Sequence, residues 1–393
     1  MPHVSGTPSR RGVARREQIL DAAERTFAIS GYAATTLRAL AKNIGMTHAG
    51  ILRHYASKED LLRALLERWK NRMEAAGQAG PSSEPLVRLH LTLLGEAAGS
   101  DHPAHSFVAD ALRTRRERRS AVGAAEEGPA LEYVAAQDGL RILSAYLPDQ
   151  ISPAEVTHAH FGGRRGTSGA RSSADWMPEI SADRPHVPPG RRPAPEDRTQ
   201  EILDAASTAF AQHGYRAASL RSIATGTGLN HSTLLYYFDS KETLLEAILN
   251  RRDRDADTAY LASVTAYDKV ANVYRRAVYN ETVPDRVRLY SALLCEAIDP
   301  GHPAHAHFAH RYARVLDALT NELHSLQTQG LIRPDLNPRA EAAWFIALWD
   351  GLQLHAPYEG ELHIPERLLH ALNDLFADSV SHERRAQLLT TAA

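Results

Sequence analysis

The sequence predicts an all-α protein built from two tandem units, each a helix-turn-helix head followed by a helical body. Three observations predict it. First, residues 18–68 recur as residues 201–251 at a constant offset of 183, with 24 identities in 51 gapless positions. A repeat of that length far exceeds a solenoid unit and marks a duplicated domain. Second, the duplication runs on past the head. Val87-Arg88-Leu89, Leu93-Leu94 and His102-Pro103-Ala104-His105 return 200 residues later, and Asp138-Gly139-Leu140 returns as Asp350-Gly351-Leu352, 212 residues later. Third, the apolar residues of the repeats follow the three-four spacing of helices.

The elements follow in order. Ile19, Leu20, Ala23 and Phe27 predict a first helix, stopped at Gly31, where a C-terminal glycine belongs. Thr36 is placed to cap a short second helix over Leu37 to Asn43. Gly45 turns the chain, and Thr47 caps a third helix covering roughly residues 48 to 55. Ser57 caps a long fourth helix with Glu59 and Asp60 in its first turn, where the helix dipole favours acids. Gly214, Ser219, Gly228, Asn230 and Ser240 repeat these signals in the second head. Two short helices joined by a glycine turn form a helix-turn-helix, whose second helix enters the major groove of DNA.

The two bodies differ. In the second, Phe308, Tyr312, Val315, Leu316, Leu319 and Leu323 form an apolar helical stripe. A loop at residues 329–334 and a strongly apolar helix, Ala340 to Leu354, follow, the latter carrying Trp344, Phe345 and Trp349. In the first body, Arg115, Arg116 and Arg119 replace Val315, Leu316 and Leu319. Arginine is rarely buried unless paired, so that face is expected to leave the apolar core. The offset changes also make the first body 29 residues shorter. The first body is therefore expected to lack a closed ligand cavity, leaving any sensing to the second. Residues 161–196 have the Gly, Pro, Ser and Arg content of a flexible linker, with a root-mean-square span of roughly 30 Å. The expected domains are 12–72 and 197–254 (heads), 73–160 and 255–393 (bodies), with the linker between.

Composition sets limits. Apolar residues make up 43% of the chain, enough for real cores, and the single cysteine, Cys295, excludes an internal disulfide framework. The polar, Arg-rich start is not a secretory signal, and the longest apolar run, residues 342–349, is far short of a membrane span of ~20 residues. A cytoplasmic protein without a membrane partner is the expectation. Net charge is −2, yet residues 9–72 carry +7 and residues 191–254 carry +1. Positive charge segregated to the heads is a phosphate-binding footprint, strong in the first head and weak in the second.

The run Gly-Tyr…Thr-Leu-Arg-x-Leu-Ala…Gly-Met-Thr-His-Ala-Gly-Ile-Leu-Arg-His-Tyr-x-Ser-Lys-Glu-x-Leu-Leu resembles the N-terminal domain of the TetR family of bacterial transcription regulators. The second head, ending Leu-Leu-Tyr-Tyr-Phe-Asp-Ser-Lys-Glu-Thr-Leu-Leu, resembles it too. The resemblance implies a ligand-responsive repressor of double-stranded DNA, responsive to a small-molecule effector and needing no cofactor. It implies DNA contacts from Thr47, His48, Ala49, Arg53 and His54 in one recognition helix and Asn230, His231, Ser232, Tyr236 and Tyr237 in the other. Thr36, Arg38, Ser219 and Arg221 would meet the DNA backbone from the preceding helix, and Lys58 and Lys241 would bind phosphate at a helix start. Leu52 and Leu235 depart from the family, standing where a backbone-touching tyrosine is common; that contact would be missing or moved to Arg53 and Tyr236. Arg10, Arg11, Arg15 and Arg16, and likewise Arg191 and Arg192, are candidates for a minor-groove arm.

Phe308, Tyr312, Trp344 and Trp349 are the candidate ligand wall. The heads could pair as a single-chain pseudo-dimer or, through the second bodies, as a two-chain dimer. Two other classes stay open: a ligand-binding or scaffold protein with weakened heads, supported by the weak charge of the second, and a metal-dependent enzyme. The enzyme rests only on His302, His305, His307 and His310, which no cysteine joins; no metal site and no enzymatic motif is expected.

Overall fold

A computed structural model describes residues 10–76, 84–121, 127–162, 195–261, 266–377 and 379–381. The first unit runs α1 (Arg10–Ala34), α2 (Leu37–Asn43), α3 (His48–Leu52), α4 (Lys58–Ala76), α5 (Glu84–Glu96), α6 (His105–Ala121), α7 (Glu127–Tyr146) and α8 (Pro153–Gly162). The second runs α9 (Pro195–Ala217), α10 (Leu220–Gly226), α11 (His231–Tyr237), α12 (Lys241–Leu261), α13 (Ala266–Glu281), α14 (Pro284–Glu296), α15 (His305–Thr328), α16 (Pro338–His355) and α17 (Ile364–Asn373). Among the described residues the only extended pairing is an isolated bridge between Ile332 and Phe376.

The caps read from the sequence form. The side chains of Thr36, Thr47 and Ser57 accept from the N–H groups of Ala39, Gly50 and Asp60 at 3.1, 3.0 and 3.0 Å. Ser219, Asn230 and Ser240 do the same for Ser222, Thr233 and Thr243. Helix α3 is shorter than predicted. The Ile51 carbonyl accepts from both His54 and Tyr55, a tightened last turn that carries the Tyr55 ring into the core. Arg10, Arg11, Arg15 and Arg16 lie within α1, so the expected arm is helix. Arg16 folds back, donating to the His54 carbonyl at 2.7 Å. Arg191, Arg192 and the linker residues 163–194 lie outside the described residues.

Helices α7 and α16 pair the two bodies within the chain, crossing at two glycines. A Cβ at Gly139 would lie 1.9 Å from the Ala347 carbonyl oxygen, and one at Gly351 would lie 1.9 Å from that of Ala135. Only a residue without a side chain permits this approach. Reciprocal bonds confirm a pseudo-two-fold: Tyr146 donates to the Leu294 carbonyl at 2.6 Å, and Tyr358 donates to that of Leu94 at 2.7 Å. His305 stacks on Tyr146, as His105 stacks on Tyr358. Along the same axis Gly95 of α5 faces Cys295 of α14, and a Cβ at Gly95 would meet the Cys295 Cβ at 2.8 Å.

The arginines of α6 overturn the expectation that their face leaves the core. Arg115 donates to the fully buried Asp138 at 2.7 Å, Arg116 pairs with Glu359 of the second unit, and Arg119 lies over the Tyr133 ring at 4.1 Å. Each is half-buried against its partner. Asp138 also accepts from His90, Arg141 and, across the pairing, His355 at 3.0 Å. Burial pushes the Asp138 carboxyl up, but Arg115, then His90 and His355, outweigh this and hold it well below its usual range. Its repeat, Asp350, accepts instead from the Tyr312 hydroxyl at 2.6 Å, and burial pushes it up.

Candidate nucleic-acid interface and effector cavity

Gly45 and Gly228 make the turns of the two helix-turn-helix motifs with φ of 64° and 66°. The faces they build are open. Thr36, Arg38, Thr47, His48, Ala49 and Arg53 are exposed in the first head, as are Ser219, Arg221, Asn230, His231 and Ser232 in the second. Leu52 and Tyr236 are 39% and 84% exposed, so large side chains stand in solvent on both recognition helices. His54 and Tyr237 are half-buried, and Tyr237 packs on the head core.

Lys58 and Lys241 are placed differently from the expectation. Lys58 Nζ donates to the carbonyls of Tyr32 and Thr35 at 3.0 and 3.1 Å and lies over the Tyr32 ring at 4.1 Å. Lys241 repeats this on Tyr215 and Ala218. Burial pushes both ammonium groups down. Their first role in the geometry is to hold the carbonyls that end α1 and α9. Lys58→Met should therefore cost the fold about 2 kcal/mol, the scale of hydrogen bonds to a charged group. Chemical denaturation checks this, and a loss below about 0.5 kcal/mol contradicts it.

A carboxylate at the end of a body helix bonds to the kink of each head. Gly31 and Gly214 adopt φ of 76°, a conformation that suits glycine, and the kink turns the next two N–H groups toward the body. Glu96, the last residue of α5, accepts from Tyr32 and Ala33 at 2.7 and 2.5 Å. Glu296, the last of α14, accepts from Tyr215 and Arg216 at 2.8 and 2.9 Å. Burial pushes both carboxyls up. Arg216 also donates to the Ile29 carbonyl at 2.6 Å, tying the second head to the first. Sequence reasoning missed this joint, although Glu96 and Glu296 align at the offset of 200.

A cavity of about 50 Å³ lies in the second unit, walled by α12, α13 and α14 and including Arg252, Arg276 and Tyr290. On the first body a groove of about 470 Å³ beside Arg119, Tyr133 and Phe161 is open to solvent. The candidate wall residues Phe308, Tyr312, Trp344 and Trp349 do not line the cavity, for physical reasons. Tyr312 is taken by Asp350, and Phe308 packs edge-on behind Tyr290 at 5.2 Å. Trp344 stacks on His160 of the first unit at 4.0 Å, and Trp349 packs on Phe345. Three of the four histidines go to separate partners: His302 meets the Tyr215 ring, His305 meets Tyr146, and His307 pairs with Asp253 at 3.2 Å. Among the described residues no group of three or more His, Cys, Asp or Glu could hold a metal. None of the described helices is long and apolar enough to cross a membrane.

The chain was compared with known proteins. The family described as bacterial regulatory proteins, tetR family, matches residues 19–65 and again 202–248. The family described as BetI-type transcriptional repressor, C-terminal, matches residues 284–381. Similar curated proteins include the HTH-type transcriptional repressor KstR2 of Rhodococcus jostii, 44% identical over 52 residues, 13% of this chain and 26% of that protein. The repressor AcnR of Corynebacterium glutamicum is 32% identical over 81 residues, 21% and 40% of the two chains. The repressor Rv3405c of Mycobacterium tuberculosis is 28% identical over 180 residues, 45% and 81%. The chain thus spans only about a quarter and two fifths of the first two. Among solved structures, a TetR-family transcriptional regulator from Rhodococcus sp. is 25% identical with a TM-score of 0.37, covering 46% of this chain and all of that one.

Proposed function

The chain belongs to the TetR family, carrying that family's N-terminal domain twice in tandem, and on that premise we propose that it is a ligand-responsive repressor that grips one DNA operator with both of its heads. It would act in the cytoplasm and catalyse no reaction. The observation that carries the reading is the joint between head and body. Two open helix-turn-helix faces are each bonded through a carboxylate, Glu96 or Glu296, to bodies paired about a pseudo-two-fold. A two-fold pair of recognition helices is the arrangement that reads two half-sites on one duplex. Thr47, His48, Ala49 and Arg53 would read one half-site, and Asn230, His231, Ser232 and Tyr236 the other. Arg38 and Arg221 would hold phosphates.

Effector control would run along α14. Val287, Tyr290 and Leu293 of this helix line the cavity, and the same helix ends at Glu296. An effector that shifts α14 thus shifts the carboxylate holding the second head, and with it the spacing of the heads.

The two recognition helices differ in chemistry, so the operator should be asymmetric. A mobility shift and footprint on DNA from the protein's own upstream region, with particle mass in solution, tests this. One chain per operator with unlike half-sites is expected, and replacing either half-site by a copy of the other should weaken binding about tenfold or more, at ~1–3 kcal/mol for each wrong base pair. A two-chain particle on a perfect palindrome would sink the single-chain arrangement. Failure to bind any DNA at low salt would sink the repressor.

A further inference from the structure

The second unit keeps a cavity that the first has filled. Arg252 on α12 stands where the first unit has Trp69, at the head offset of 183. Trp69 is buried, stacked on His90 at 5.6 Å and packed on Phe107 at 5.2 Å. Arg252 lies instead over the ring of Tyr290, the counterpart of His90, at 3.1 Å from its centroid. Its Nη1 is buried without a hydrogen-bond partner. Arginine cannot shed its proton to relieve this, and an unsatisfied buried donor is costly.

Among the described residues that line the cavity, none supplies an anion. Arg251, Arg276 and Arg286 also line the cavity, and no acid does. The nearby Asp204 pairs with Arg251 at 2.9 Å and reaches Arg286 at 3.9 Å. Asp253 turns to His307 and Arg311, both at 3.2 Å. Ser207 and Asn280 add neutral polar groups, and Ile248, Leu249, Val287 and Leu293 give the wall its hydrocarbon surface. Arginine side chains and hydrocarbon surface thus line one slot of about 50 Å³. Burial pushes the Arg252 guanidinium down, and Arg311 and Arg276 add to this against a partial offset from Tyr290.

We propose that the effector of the second unit is a small organic carboxylate with a short hydrocarbon tail, its carboxylate held by Arg252 and its tail laid along Ile248, Leu249 and Leu293. Its effect on DNA rests on the repressor reading above, but its binding does not. Charge-assisted guanidinium–carboxylate bonds give orientation as well as affinity. The cavity is smaller than the ~300–1,000 Å³ of drug-sized sites, so the tail is a few carbons long. Trp69 blocks the same site in the first unit, so one carboxylate binds per chain.

The full chain is titrated with hexanoate, hexanamide and hexylamine, followed by thermal melting and calorimetry. Hexanoate should raise Tm in proportion to log concentration and bind at one per chain, whereas the neutral and cationic analogues should do neither. Arg252→Lys should keep binding weakened about tenfold or more, since an ammonium lacks the planar fork. Arg252→Trp, which installs the first unit's residue, should fold with unchanged circular dichroism and bind no hexanoate. Equal responses to hexanoate and hexanamide would overturn the inference, as would no response to hexanoate in the native chain, or undiminished binding in Arg252→Trp. A mobility shift run in parallel separates the two readings: a chain that binds hexanoate but no DNA sinks the repressor and supports the carboxylate site.

Discussion

Alanine at Gly139 or at Gly351 should cost at least ~3 kcal/mol and unpair the two bodies. Each new Cβ would sit 1.9 Å from a backbone carbonyl oxygen of the facing helix, where no side-chain rotation gives relief. Helices α7 and α16 would have to separate along the strip where Ala135, Ala136, Ala342, Ala343 and Ala347 are buried. Overpacking a core costs ~1–3 kcal/mol when side chains can shift, and more when backbone must. Against a typical total of ~5–15 kcal/mol this is a large fraction. The two variants should suffer alike, because the glycines are pseudo-two-fold mates. Gly226→Ala is the control: its Cβ would meet nothing within 4 Å on an exposed helix, and it should be neutral or slightly stabilising. Urea denaturation of the three variants decides it. Losses under about 1 kcal/mol at both crossing glycines would contradict the packing described.

Asp138→Ala should be nearly as damaging, at ~3–5 kcal/mol, the scale for removing one partner of a buried ion pair. Arg115 and Arg141 would be left facing each other with His90 and His355, all without their shared acceptor. Asp350→Ala should cost less, since that carboxyl is pushed toward its neutral form and accepts from a neutral hydroxyl. The sign with pH is fixed by the depressed carboxyl of Asp138. Its contribution is fully present above its unfolded pKa, near 3.8, and is lost as pH falls through the lower folded value. The stability gap between native chain and Asp138→Asn should therefore stay constant from pH 8 to about 5 and narrow only below about 4. A gap that closes near pH 6 would mean that the histidines, not Asp138, carry the network.

Local signals were legible in the sequence, and distant partners were not. Thr36, Thr47, Ser57 and their repeats cap as read because a cap bonds within three residues of itself. Gly31 stops its helix as read because its φ is a local property. Arg115 was misread because its partner, Asp138, lies 23 residues on, and His355, which completes the cluster, lies 217 residues from Asp138. An arginine replacing a valine signals exposure only when no acid waits inside. The bonds Lys58 makes within the head were not legible, because the carbonyls it holds lie 23 to 26 residues back. The aromatic candidates for the ligand wall were reasonable by composition, but packing in this fold spends Tyr312 on Asp350 and Trp344 on the other unit. What marks the cavity is a difference between the copies, Trp69 against Arg252, which only the alignment of the repeats exposes.

Gly95 against Cys295 gives the duplication a further meaning. Were two second units to meet face to face, the thiol of one would confront the thiol of the other in a gap that already holds a glycine Cβ position at 2.8 Å. Such a twin pairing would need the axis to widen, at the ~1–3 kcal/mol of an overfilled core. The second half thus discriminates against its own likeness and selects its sibling, like a lock cut to refuse a second lock. Divergence between the copies can then accumulate without loss of assembly, and a second half would be a poor stand-in for the first.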